Sequence, residues 1–151
     1  LNAIAGLMRS DQPANYPLNT NTALLINTAI AYPFYLAPVF APRNKVLGLA
    51  PVTFGFAQAV GHGVIFPKRA GARYSPGFLA SALLHVPVGI AWLKSVNRTS
   101  RLTKGDVAKG LAYQIAFSAL GVALPNVLLR DKQSPYHFDE HQLRSHPQHQ
   151  A

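Results

Sequence analysis

The sequence predicts an all-α integral membrane helical bundle with about four transmembrane helices. Two observations carry this. Only 13% of the 151 residues are charged while 49% are hydrophobic, against about 25% charged in an ordinary soluble domain. The charges are also clustered, which leaves four long uncharged windows. Disorder is excluded by the apolar middle of the chain. The absence of cysteine removes disulfides, thiolate metal sites and cysteine nucleophiles.

The first window runs from Gln12 to Pro42, 31 residues, with its apolar part over 22–42. The second, Val46 to Pro67, has 22 residues, and the third (74–93) and fourth (110–129) have 20 each. A helix rising about 1.5 Å per residue needs about 20 apolar residues to cross about 30 Å of hydrocarbon. All four windows meet that length. Helices of a soluble bundle carry a polar stripe opposite their apolar face, and here that stripe is missing. A polar segment over 1–21 and a polar, His-containing tail over 130–151 flank the bundle, and they keep the mean hydropathy at only +0.12.

Pro33, Pro38 and Pro42 interrupt the first window and predict a kinked helix packed inside the bundle. Tyr32 and Tyr35 lie beside the kink, and Trp92 ends the third window as an interfacial aromatic. Orientation is not set by charge. Seven Lys and Arg fall on one side (Arg43, Lys45, Lys94, Arg98, Arg101, Lys104, Lys109) and seven on the other (Arg9, Lys68, Arg69, Arg73, Arg130, Lys132, Arg144). The dense third loop favours placing its side in the cytoplasm, which leaves the Asn97-Arg98-Thr99 sequon unused. The chain opens on Leu1 with no leader pattern, so it reads as processed or as a fragment.

Polar side chains within a membrane helix are costly and become candidate sites. Gln58 and His62 are four apart, on one helical face. Ala57 with Gly61 and Ala59 with Gly63 are small-residue pairs that admit a neighbouring helix, so His62 is expected at a tight helix interface. His85 stands two residues before Pro87, whose missing N–H frees the Leu83 carbonyl. Tyr113, Gln114, Ser118 and Asn126 read as interhelical hydrogen-bonding groups. No window holds a carboxylate, so proton chemistry would fall to His62 or His85.

His137-Phe138-Asp139-Glu140-His141 formally matches H-x-x-E-H, the inverted zinc-protease pattern. With Pro135 and Pro147 around it and only His146 and His149 as further ligands, it reads as a flexible tail at the membrane surface rather than a metal site. No cofactor can be named. Nucleotide-binding and serine-hydrolase motifs are missing, and the basic loops lack the interleaved aromatics of a nucleic-acid platform. Anionic lipid headgroups are the partners those loops predict.

Gly61-His62-Gly63, the basic Lys68-Arg69 turn, Arg73-Tyr74-Ser75-Pro76-Gly77 and a following apolar helix with Val86-Pro87 resemble the later part of the bacterial integral membrane family named for its H-x-x-E-E motif. The resemblance spans about Thr22 to Leu129, and the name-giving motif is not found before Thr22. It implies a small multi-helix membrane protein with metal, proton or lipid-substrate chemistry. Only His62, Tyr74, Pro76 and Gly77 carry over by position. Independently, Pro76-Gly77 predicts a sharp interfacial turn.

Two functions follow as expectations. The first is an accessory or scaffold subunit of a larger membrane assembly, with other membrane subunits as partners, suggested by small-residue contacts and the lack of buried carboxylates. The second is a small membrane enzyme acting on a lipophilic substrate through His62 and His85. A transporter is disfavoured by the lack of an internal repeat.

Overall fold

The computed structural model describes residues 10–138 apart from 13, 72 and 76. Within them the chain forms four helices long and apolar enough to cross a membrane: α1 (Thr20–Phe40), α2 (Lys45–Arg69), α3 (Gly77–Thr99) and α4 (Lys104–Leu128). No strand occurs among the described residues. The helices run alternately up and down. Lys45 at the start of α2 donates to the Arg101 carbonyl at 3.0 Å and pairs with Asp106 at 3.6 Å, which ties the α1–α2 and α3–α4 turns at one end.

Each terminus has a local cause. Asn19 caps α1 by accepting from the Thr22 amide, and Asn44 caps α2 by accepting from the amides of Val46 and Leu47. Gly71, with φ of 61°, takes the left-handed position that ends α2. Thr103 and Asp106 form a capping box. That box starts α4 at Lys104, earlier than its charge-free window. The helix therefore begins with Lys104, Asp106 and Lys109, whose side chains can reach an interface. The third helix likewise begins at Gly77 and runs on to Thr99, beyond the apolar stretch.

All four helices contain a wide π-helical stretch: Ile26–Ala31, Gly61–Ile65, Ser81–His85 and Phe117–Ala123. Each ends two residues before a proline, namely Pro33, Pro67, Pro87 and Pro125. Proline removes an N–H and its ring crowds the carbonyl four residues back. Widening the turn moves the preceding carbonyls onto later donors: the amides of Phe66 and Val86 donate to the carbonyls of Gly61 and Ser81, and that of Leu124 to Ala119, each five residues back. The helices thus pass their prolines without a break, which matters in hydrocarbon, where an unpaired backbone group is costly. In α1 this wide turn precedes the proline-bearing stretch Tyr32–Phe40, while Pro42 falls just beyond the helix end.

The centre is α2, which touches all three other helices, while α1 also meets α4 and α3 packs chiefly on α2. Among α1, α2 and α4 lies an aromatic core. Phe34 stacks on Phe117 with ring centroids 3.7 Å apart, and Phe54 meets both rings edge-on at 5.9 and 5.4 Å. Ala50 at the floor of this cluster is fully buried.

Glycines set how closely the helices approach. Along α2 and α3 they pair with large side chains on the opposing helix: Gly48 with Trp92, Gly55 with His85, Gly63 with Phe78, Gly77 with His62 and Gly89 with Phe56. Gly48, Gly55 and His62 are seven apart, as are Phe78, His85 and Trp92. This is the heptad spacing of two helices that coil around one another. Gly110 receives Leu49 between α2 and α4, and Gly121 receives Ile30 between α1 and α4.

At the end opposite Lys45, the segment before α1 and the segment after α4 join. The Thr20 amide donates to the Tyr136 carbonyl and the Phe138 amide to that of Ala14, both at 2.9 Å. Lys132 pairs with Asp11 at 2.7 Å, and Lys132 and Arg130 both lie over the Tyr16 ring. The hydrogen bond from Lys132 holds the Asp11 carboxyl below its ordinary value, so this link persists at neutral pH and is lost as pH falls through that lowered value. Residues 130–138, expected as part of a flexible tail, are thus tied to the N-terminal segment.

A Cβ at Gly110 would stand 2.7 Å from Leu49 Cβ, whereas at Gly105 it would meet nothing nearer than 3.7 Å. Gly110→Ala should therefore destabilise the protein by about 1–3 kcal/mol through overpacking. Gly105→Ala, in the same helix, should leave stability unchanged or raise it by up to about 1 kcal/mol. Thermal unfolding of the two variants side by side in detergent checks the contrast.

Candidate functional site

The two histidines of the membrane-length helices occupy different places. Facing helices put His62 opposite Gly77, and His85 opposite Gly55. Seven residues of helix separate those levels on α2, about 10 Å along the axis. The pairing of His62 with His85 as joint proton-transfer groups or metal ligands is therefore not supported by proximity. No cluster of three or more His, Asp or Glu able to hold a metal occurs among the described residues.

His62 belongs to a lock at the α2–α3 turn. Its Nδ1 is hydrogen-bonded to the buried Ser75 Oγ at 2.6 Å, and its ring meets Phe66 edge-on at 5.0 Å. The imidazole fills the space a side chain at position 77 would take, so Gly77 is needed there for room. The motif that carried the family resemblance thus ties the end of α2 to the start of α3. Ser75, which the sequence offered only as a turn residue, is its hydrogen-bonding partner. Lys68, Arg69, Arg73 and Tyr74 are exposed around it. Pro76 lies outside the described residues.

Of the small residues on α2, Gly63 receives the Phe78 ring and Gly61 is buried beside its own helix's Phe66. Ala59 is half-buried, as is Gln58, and Ala57 is exposed. In the tail, His137 is exposed and its carbonyl accepts from the Thr20 hydroxyl. Glu140 and His141 lie outside the described residues.

His85 opens onto something different. A cleft of about 480 Å³ lies between α1 and α3, with α2 as its floor. Tyr35, Pro38 and Val39 form one wall, and Leu84, His85, Val88, Gly89 and Trp92 the other. Gly48, Pro51 and Val52 form the floor. Its size falls within the range of about 300–1,000 Å³ for small-molecule sites. The lining is apolar except for the Tyr35 hydroxyl, the His85 imidazole and the Trp92 indole N–H. The Tyr35 and His85 rings face one another at 5.8 Å. None of these three polar groups has a hydrogen-bonding partner among the described residues. They are available to a ligand.

Tyr35 and Trp92 stood in the sequence only as kink-side and belt aromatics, and the floor was not anticipated. The usable signal was the heptad-spaced Gly48 and Gly55 against His85 and Trp92. A glycine facing a large residue brings two helices close.

Replacing Ser75 by Ala removes a hydrogen bond and should cost about 1–3 kcal/mol. Gly77→Ala, which evicts the imidazole, should cost more than Ser75→Ala, and both should lower the unfolding temperature in detergent. A Gly77→Ala protein as stable as the parent would contradict the lock.

The model of a protein family described as "Protein of unknown function with HXXEE motif" matches residues 4–92. The matched segment contains the His62 lock and every residue of the cleft, and stops short of α4. The chain has a single glutamate, Glu140, so the paired-glutamate motif does not occur in it. No curated protein and no solved structure matches the chain.

Proposed function

The chain belongs to the HXXEE family, and we propose that it is a multi-pass membrane protein that binds a ligand with an apolar chain in the cleft between α1 and α3. The observation that carries this reading is the cleft itself. It is an apolar trough along two membrane-length helices, with the Tyr35 and His85 rings in tilted contact where they line it and neither hydrogen-bonded among the described residues. A molecule already dissolved in the bilayer can enter between α1 and α3 without crossing water.

The packing favours this over a scaffold role. The scaffold expectation rested in part on small-residue contacts. Seven glycines of the spans (Gly48, Gly55, Gly63, Gly77, Gly89, Gly110 and Gly121) are instead filled by side chains of this same chain. Within the cleft, His85 is the group suited to accept or donate a proton, and Tyr35 is suited to orient a hydroxyl or carbonyl. His62 serves the α2–α3 turn.

The test fills the cleft from its open side. Val39 and Val88 line it and are 68% and 65% exposed, so a large side chain at either enters the cleft without displacing core. Val39→Trp and Val88→Trp should each keep the unfolding temperature and reduce the co-purifying lipid seen by native mass spectrometry several-fold. Unchanged lipid in both variants, or no apolar ligand on the parent protein, refutes the reading.

A further inference from the structure

The polar end of the ligand can be specified from what lines the cleft; this inference rests on the cleft reading above. We propose that the ligand is an uncharged lipid whose carbonyl oxygen lies inside the cleft and accepts a hydrogen bond from the Tyr35 hydroxyl, and that lipids with an ionised head are rejected.

The cleft presents hydrogen-bond donors. Tyr35, His85 and Trp92 line it, and none of their polar groups is hydrogen-bonded among the described residues. The glycines of α2 fix two of them. The Nδ1 edge of His85 lies against Gly55, where an added Cβ would stand 3.0 Å from Nδ1, and the His85 and Tyr35 rings are in tilted contact at 5.8 Å. The Cε2–Cζ2 edge of the indole lies on Gly48, and the indole nitrogen is bonded to Cε2, so its N–H sits beside the floor of the cleft. Tyrosine and neutral histidine can each donate, and an indole can only donate. A donor left without a partner in hydrocarbon is costly. The matching ligand atom is therefore an acceptor held within the cleft, and a carbonyl oxygen is an acceptor alone.

The cleft also lacks charge. No Asp, Glu, Lys or Arg is among the described residues that line it. Lys45, three residues before the floor residue Gly48, is engaged by the Arg101 carbonyl and the Asp106 carboxylate at the α3–α4 turn. A carboxylate, phosphate or ammonium brought to the Tyr35–His85 level would lose its hydration and meet no opposite charge, and neutral hydrogen bonds do not offset that cost. An ester keeps the acceptor oxygen and avoids the charge.

Trp92 is the chain's single tryptophan and lines the cleft, so its fluorescence reports what occupies it. The probes are dibrominated stearate, its methyl ester and dibrominated octadecane, which share a chain and its bromine quenchers and differ at the head. They are titrated into the purified full chain in a nonionic detergent at about pH 9, where a carboxyl is ionised and an imidazole neutral. The ester should quench saturably, be displaced by methyl oleate, and bind at least about tenfold more tightly than the carboxylate. Tyr35→Phe should weaken the ester by about three- to tenfold and leave the hydrocarbon unchanged. Val39→Arg, which adds a cation at an exposed lining position, should tighten the carboxylate several-fold. A carboxylate bound as tightly as the ester by the parent protein, or unaffected by Val39→Arg, overturns the charge argument and leaves the cleft reading standing. An ester no tighter than the hydrocarbon, or unaffected by Tyr35→Phe, overturns the carbonyl contact. Saturable quenching by none of the probes overturns the cleft reading, and the uncharged-lipid assignment with it.

Discussion

The close approach of α3 to α2 is the constraint on which the rest of the structure depends. In lipid there is no hydrophobic gain from bringing two apolar helices together, so association relies on close packing and on the few polar contacts available. This chain supplies the packing by opposing glycines to large side chains in both directions. Trp92, His85 and Phe78 of α3 sit over Gly48, Gly55 and Gly63, while His62 and Phe56 of α2 sit over Gly77 and Gly89. With α3 fixed in this register and α4 drawn onto the other side of α2 at Gly110, α1 is left to pack its Phe34 against α4. The gap between α1 and α3 is the consequence. Its floor is made of the same glycine, Gly48, that brings Trp92 in.

The prolines serve the same architecture. Each of the four helices widens by a turn just before a proline, so the backbone remains paired while the helix axis adjusts. Both His62 and His85 lie in these wide turns, His62 in Gly61–Ile65 and His85 at the end of Ser81–His85. Wide turns of this kind occur often at functional sites. In α2 the turn aims the imidazole at Ser75 and closes the hairpin. In α3 it places the imidazole at the inner end of the cleft.

Four spans were legible in the sequence because the absence of charge over about 20 residues is a property of composition and needs no knowledge of partners. Helix ends were less so. The fourth charge-free window starts at residue 110, yet α4 begins at Lys104, with Asp106 as the acidic half of a capping box. His62 at a tight interface was readable from its neighbours Gly61 and Gly63, yet its partner Ser75 is thirteen residues away and depends on the turn between them. The cleft was not readable at all. It exists only once Val39 of α1 and Val88 of α3 are placed on either side of Pro51, and no local pattern links those positions. The link between Asp11 and Lys132 was hidden for the same reason, since it joins opposite ends of the chain.

Because the chain has no cysteine, the α2–α3 register can be tested directly by introducing a pair. Gly55→Cys/His85→Cys, oxidised in native membranes, places two thiols where a glycine and its covering side chain now meet. The account predicts an intramolecular disulfide within one chain, formed in high yield and absent from either single variant. A failure to cross-link, or a disulfide that joins two copies of the protein, would contradict the register and with it the cleft that the register creates.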